Sequence, residues 1–187
     1  MSKLIVLLFL VMTAGCSLHG TSTGNPVVAL TFDPYNSAAS TKVSEAVSAQ
    51  AISSVKFCFK RLRFKQAGSS TNPDPTLDSD NIDFQLGEIS VSDLGTILGA
   101  ITLPVGTYVR VEFDLENHCA SGQSIQLTNS NGSFSTNERI TIKFNGVFNH
   151  AADEPLALNV QPITSALNTV SAANQIRTKA ETASGTY

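Results

Sequence analysis

Tryptophan is absent from this 187-residue chain, and several other signatures are missing with it. There is no His-Glu-x-x-His pair and no glycine loop to cradle phosphate, so the common routes to zinc and nucleotide chemistry lack their residues. Basic residues are not in excess. The 12 Lys and Arg stand against 15 Asp and Glu, which gives no reason to invoke nucleic acid. Histidine numbers only three, and His118 and His150 carry no paired-ligand spacing, so neither a zinc site nor any other metal or cofactor is expected. His118 and Cys119 are neighbours, but adjacent residues on an extended chain point to opposite sides, so they are not read as base and nucleophile. Long apolar runs are also missing: residues 4–12 make only nine, against the roughly 20 of a spanning helix.

What the chain does have begins at its N-terminus. Lys3 precedes the apolar run 4–12, and the small residues Thr13, Ala14 and Gly15 lead to Cys16. This three-part pattern is a signal peptide and not a fold element. Its end resembles the bacterial lipoprotein signal, with Thr13 standing where that signal usually has leucine. The resemblance implies cleavage before Cys16, a diacylglycerol thioether on its sulfur and an acyl chain on its amine. Several such chains anchor a protein stably where one binds only marginally. Ser17 in place of aspartate after the cysteine implies, by the same resemblance, delivery to the outer membrane.

The expected organisation is a signal peptide over 1–15, a lipidated flexible tether over 16–26 that includes a solvated His19, a domain over 27–163 and a C-terminal tail over 164–187. Loss of residues 1–15 leaves 172 residues with 11 Lys and Arg, enough for one real core and tight for two.

Ser, Thr, Asn and Gly are abundant, and the apolar residues fall in short alternating runs, which are marks of a secreted all-β domain. Val28, Leu30 and Phe32 alternate with Ala29 and Thr31. Residues 40–50 break that pattern with Val43, Ala46, Val47 and Gln50 at helical spacing, which predicts a short inserted helix. In VKFCFKRLRFK, Val55, Phe57 and Phe59 share one parity while Leu62 and Phe64 take the other, so a β-bulge near Lys60 or Arg61 is needed to keep a single core face. The same phase change recurs from Ile82, Phe84 and Leu86 to Ile89 and Val91 across Gly87-Glu88, which predicts a bulge or corner. Val109, Val111, Phe113 and Leu115, and Ile140, Ile142, Phe144 and Phe148, read as half-buried antiparallel strands. Ile125 and Leu127, then Asn131-Gly132 and Phe134, predict a hairpin. Leu156, Leu158 and Val160 form a last strand ending at Pro162. The sum is an all-β, antiparallel Greek-key-type sandwich of about seven to nine strands. Residues 164–181 contain good helix formers and a loose apolar face of Ala166, Val170, Ala173 and Ala180, so a C-terminal helix either docks on the sandwich or hangs as a polar tail.

The run SDLGTILGAITLPVGTYVRVEFDLE, with Asp93 and Leu94 followed by Leu103, Pro104, Gly106 and Tyr108, resembles the core of a bacterial lipoprotein family whose domain has no assigned function. The likeness extends weakly over residues 27–163. It implies a transthyretin-like or immunoglobulin-like sandwich and supplies no activity. That family does not usually carry the insertion at 40–50 or a tail like 164–187. Within the turn, Pro104 fixes its own φ, Gly106 can supply a positive φ, and Tyr108 falls on the polar parity, where its ring would close the end of the sandwich as a tyrosine corner.

Once Cys16 is lipidated, Cys58 and Cys119 remain, an even pair in an oxidising compartment. If joined, they close a loop of 62 residues, worth roughly 4 kcal/mol in a chain-entropy account; the alternative is two free thiols. The acidic stretch with Asp74, Asp78, Asp80 and Asp83 opens like a calcium loop at Asp78 but has Ile82 at the fifth position, where a ligand belongs, and Asp83 at the sixth, where the glycine belongs, so it reads as a solvated hairpin loop or a weak calcium site. Lys56, Lys60, Arg61, Arg63 and Lys65 concentrate five basic residues on one strand. Two readings stand: a patch for an anionic glycan or phospholipid headgroup, or cross-strand pairing with Glu112, Asp114 and Glu116.

These features together predict a lipid-anchored lipoprotein of the bacterial cell envelope, acting as a non-catalytic ligand-binding or accessory module. Its expected partners are the membrane, through the N-terminal lipid, and an envelope protein or glycan. The alternative is a structural subunit that assembles through an open sheet edge.

Overall fold

In the computed structural model, residues 24–33, 52–66, 86–91 and 95–187 are described. Cys16 and the leader, the expected helix over 40–50, the acidic loop with Asp74, Asp78, Asp80 and Asp83, and Asp93 and Leu94 lie outside them.

The alternating segments form strands. β1 (Val27–Phe32) turns Val28, Leu30 and Phe32 inward. β2 (Ser54–Gln66) buries Val55, Phe57 and Phe59, then Leu62 and Phe64, and its pairing register shifts between Phe59 and Arg61, so the expected bulge falls at Lys60. β3 (Gly87–Val91) starts at Gly87, whose φ is 72°, while Ile82 and Phe84, the first half of the expected phase change, lie outside the described residues. β5 (Gly106–Leu115) and β8 (Ile140–His150) pair along their full length. β6 (Ile125–Asn129) and β7 (Gly132–Thr136) form the hairpin, and β9 (Glu154–Leu158) follows β8.

Two sheets result. The larger has the order β10-β8-β5-β2-β6-β7, with β3 also against β2, and the smaller has the order β4-β1-β9. Phe32 of β1 joins them, with its ring 6.0 Å from Phe59, 5.9 Å from Phe113 and 5.6 Å from Phe144. The mostly tilted and edge-to-face contacts of this cluster suit the ring quadrupoles and fill the space between the sheets.

Several details differ from expectation. The sandwich is mixed and not purely antiparallel: β9 runs parallel to β1, and β10 (Ser184–Thr186) parallel to β8. The reason is connectivity, because β9 crosses to the small sheet and two helices carry the chain back to β8. The described residues hold ten strands. The additional β4 (Thr96–Thr102) had no period-2 signal, since Gly99, at φ 132°, and Ala100 interrupt its apolar residues. The hairpin turns one residue earlier than expected: Asn129 pairs with Gly132, which leaves Ser130 and Asn131 as the turn and puts the positive φ on Gly132. Gly106 does not take the positive φ expected of it. A second register shift between Tyr108 and Arg110 breaks the expected alternation at Val109 and turns Tyr108 from the polar parity into the core. There the tyrosine corner forms, its hydroxyl donating to Pro104 O at 2.6 Å. Buried His150 holds the same turn, with Nε2 3.1 Å from Leu103 O and Nδ1 3.1 Å from Glu154 Oε1.

Of the two fates open to residues 164–187, the chain takes docking. α1 (Gln161–Asn168) has Pro162 in its first turn, where a missing amide is harmless, so the proline starts a helix as well as ending a strand. Ile163 and Leu167 of α1, Val170, and Ile176 and Ala180 of α2 (Ile176–Thr182) belong to the same buried cluster as the sheets. Asn129 Nδ2 donates to Asn168 O at 3.1 Å and Val170 O at 2.9 Å, tying the hairpin to carbonyls at the end of α1. β10 then lies against β8 while Thr186 bridges Asn159, so the last strand stitches the large sheet to the end of the small one.

Two predictions follow from this closure. A methyl at Gly185 would enter the Phe144 ring and press on Asn159 O, so Gly185→Ala should cost about 2–3 kcal/mol, read as a lower urea midpoint at unchanged m-value. Burial pushes the Tyr187 phenol well above its ordinary value, an effect the Arg110 charge only partly offsets. An unfolded phenol ionises near pH 10 while the folded one keeps its proton, so stability should fall as pH rises beyond about 10. In thermal melts across that range, Tyr187→Phe should flatten the alkaline decline.

Candidate functional site

The bulge at Lys60 gives β2 one continuous polar face, and this face, opposite the core, carries the candidate site residues. Register places Arg61 beside Asp114 and Arg63 beside Glu112, so basic β2 faces acidic β5 across the ladder. Arg63 Nη2 lies 2.7 Å from Asp114 Oδ1 and 3.2 Å from Glu112 Oε2. Asp114, fully buried, also accepts from Thr141 Oγ1 at 2.7 Å and pairs with Arg139 at 3.4 Å. Arg110 Nη1 lies 3.2 Å from Glu112, and Arg139 Nε lies 3.5 Å from Glu116. Lys56 pairs with Glu88 at 3.6 Å. Arg61 and Lys65 are engaged as well, and Lys60, at the bulge, is half-buried. The cross-strand pairing reading therefore describes the Arg63 end of the strand, where Arg63 is held by Glu112 and Asp114, while Lys56 is matched by Glu88 of β3 and not by the acids expected for it.

At the other end of β2 the polar face widens into a groove of about 330 Å³. Cross-strand register stacks Ser54, Thr128 and Ser133 in one row and Lys56, Gln126 and Ser135 in the next. Thr128 Oγ1 and Ser133 Oγ are 3.0 Å apart, and Gln126 Nε2 donates to Glu88 Oε2 at 3.1 Å. Half-exposed Lys56 thus projects into an array of hydroxyls and an amide. Such a surface can exchange hydrogen bonds with a polyhydroxyl or anionic ligand. Sequence reasoning found Lys56 but missed its partners, because the rows join residues about 70 positions apart and no linear motif links them.

The disulfide is formed: Cys58 and Cys119 are bonded, with Cα atoms 5.9 Å apart. Cys58 lies on the polar face of β2 but is only 1% exposed. Cys119 is carried by the loop between β5 and β6 that folds over it. Cys58 N donates to Ser124 O at 2.9 Å, and Glu116 N donates to Cys58 O at 3.1 Å, so both ends of that loop are fixed to β2 at this residue. His118 Nδ1 lies 3.4 Å from Cys58 Sγ. Donor atoms of Cys58, His118 and Cys119 gather within 4.8 Å of one another. A metal would require both sulfurs as thiolates, and here they are committed to each other.

No protein-family model matches this chain, and neither a curated protein nor a solved structure matches it.

The network makes an asymmetric prediction. Asp114→Ala removes a buried acceptor of three donors and should cost about 2–3 kcal/mol. Arg139→Ala, on a side chain 60% exposed, should cost under about 1 kcal/mol. Paired chemical denaturation of the two variants reads the difference.

Proposed function

We propose that this chain is a lipoprotein of the bacterial cell envelope, anchored through acyl chains on Cys16, whose β-sandwich is a non-catalytic binding or accessory module. The observation that carries the reading is the leader itself: a basic start, a short apolar run and small residues ending at a cysteine. The Cys58–Cys119 bond supports it, since such bonds persist in oxidising compartments. The resemblance of residues 92–116 to a lipoprotein family agrees with it.

Ligand binding is assigned to the groove of β2, β6 and β7, where Lys56, Gln126 and Thr128 offer one cation, one amide and one hydroxyl to a glycan-like ligand. A second reading, assembly through sheet edges, draws on a different observation. Among the described residues β4 ends the small sheet, and its Ile97 is 83% exposed, an apolar side chain on the edge strand.

Cys16→Ser should abolish incorporation of labelled fatty acid and move the protein out of the membrane fraction. Mass spectrometry finding residues 1–15 retained, or Cys16 unacylated, would overturn the anchoring. Lys56→Glu should weaken capture of acidic glycans by about tenfold in an array or titration. Unchanged capture, together with stable cross-links to one protein neighbour that Ile97→Lys removes, would instead select assembly through the β4 edge.

A further inference from the structure

The two sulfurs of the disulfide are not equivalent. Cys58 is sealed, 1% exposed, and its own amide and carbonyl are bonded to Ser124 and Glu116. Cys119 is partly exposed and lines an open depression of about 470 Å³ with Leu86, Gly87, Glu88, His118 and Ala120; Cys58 is not part of that lining. Both ring nitrogens of His118, at 3.4 Å and 3.9 Å, lie close to Cys58 Sγ.

We propose that the Cys58–Cys119 bridge is a directional thiol-exchange site: a small thiol entering the depression attacks Cys119, and Cys58 leaves beside His118. In this step the incoming thiolate forms a bond to Cys119 Sγ, the Cys58–Cys119 bond breaks, and its electron pair departs on Cys58 Sγ. His118 is placed to pair with that developing thiolate or to give it a proton. A leaving sulfur stabilised in this way departs faster, and thiolates are stabilised beside protonated histidine. The product is a mixed disulfide on Cys119 and a reduced Cys58. A second equivalent of small thiol attacking the bound thiol's sulfur releases the oxidised small-molecule disulfide and leaves two protein thiols. Return attack by Cys58 on Cys119 Sγ restores the bridge and expels the thiol. The division of labour follows from the backbone: Cys58 belongs to a paired strand and stays, while Cys119 sits on a connecting loop that can carry an adduct.

The test is native-state exchange of the purified protein with glutathione, quenched with acid, alkylated and mapped by peptide mass spectrometry. Adducts should fall on Cys119 in at least about tenfold excess over Cys58, at a rate well above global unfolding measured by denaturant. Exposed His118 contributes nothing to the core, so His118→Ala should keep the melting temperature while slowing exchange about tenfold and altering its pH profile. Adducts divided evenly or favouring Cys58, or exchange no faster than unfolding, would overturn the proposal. Exchange at wild-type rate in His118→Ala would remove His118 from it. In a second measurement, Cys58→Ser should leave Cys119 readily alkylated by iodoacetamide in the folded protein, whereas Cys119→Ser should leave Cys58 protected; equal protection would also overturn the direction.

Discussion

β2 has to keep one face apolar for thirteen residues while it pairs with three other strands, and the rest of the domain is arranged around how it does so. Strict alternation would carry Leu62 and Phe64 to the solvent face. The extra residue at Lys60 resets the phase, so that Phe57, Phe59, Leu62 and Phe64 all enter the core. The same bulge aligns Lys56, Cys58, Arg61 and Arg63 on the opposite side. The aromatic cluster, the ion network and the disulfide therefore depend on one local irregularity. A similar device acts at Val109, where a shift in the β5–β8 register delivers Tyr108 to the core and to Pro104 O.

Closure of the sandwich comes from the C-terminal segment. β8 and β9 belong to different sheets, and β10 reaches both, pairing with β8 and bridging Asn159. Gly185 lets the backbones come this close. Asn129 and Asn131 reach from the β6–β7 turn to the carbonyls following α1, so the helices are held at their end by hydrogen bonds as well as by burial. With the core face occupied by the small sheet and the helices, the opposite face of the large sheet is the one on which polar groups collect.

On that face Glu88 stands between two features. It pairs with Lys56 and accepts from Gln126 at the edge of the hydroxyl-lined groove, and it also lines the depression over Cys119. Chemistry at the disulfide and contacts in the groove thus share a residue. On the proposed reading, an anchored module presents both to the envelope.

Much of this architecture was legible in residue spacing. The phase break at Lys60 located a bulge, because a two-residue period leaves no other way to keep one core face. Tyr108 and Pro104 announced their corner, and an even cysteine pair announced the bridge. β4 was not legible, since Gly99 and Ala100 erase alternation on a strand that an edge position tolerates. Nor were the parallel pairings, which depend on where the chain returns after its helices. Local periodicity and side-chain type are enough to specify the class of fold and, except at Tyr108 and along β4, which side of a strand faces the core. Which acid neutralises which base, which sulfur is sealed and which is open, and that hydroxyls from three strands share one groove are set in three dimensions, because each depends on register between segments distant in the chain.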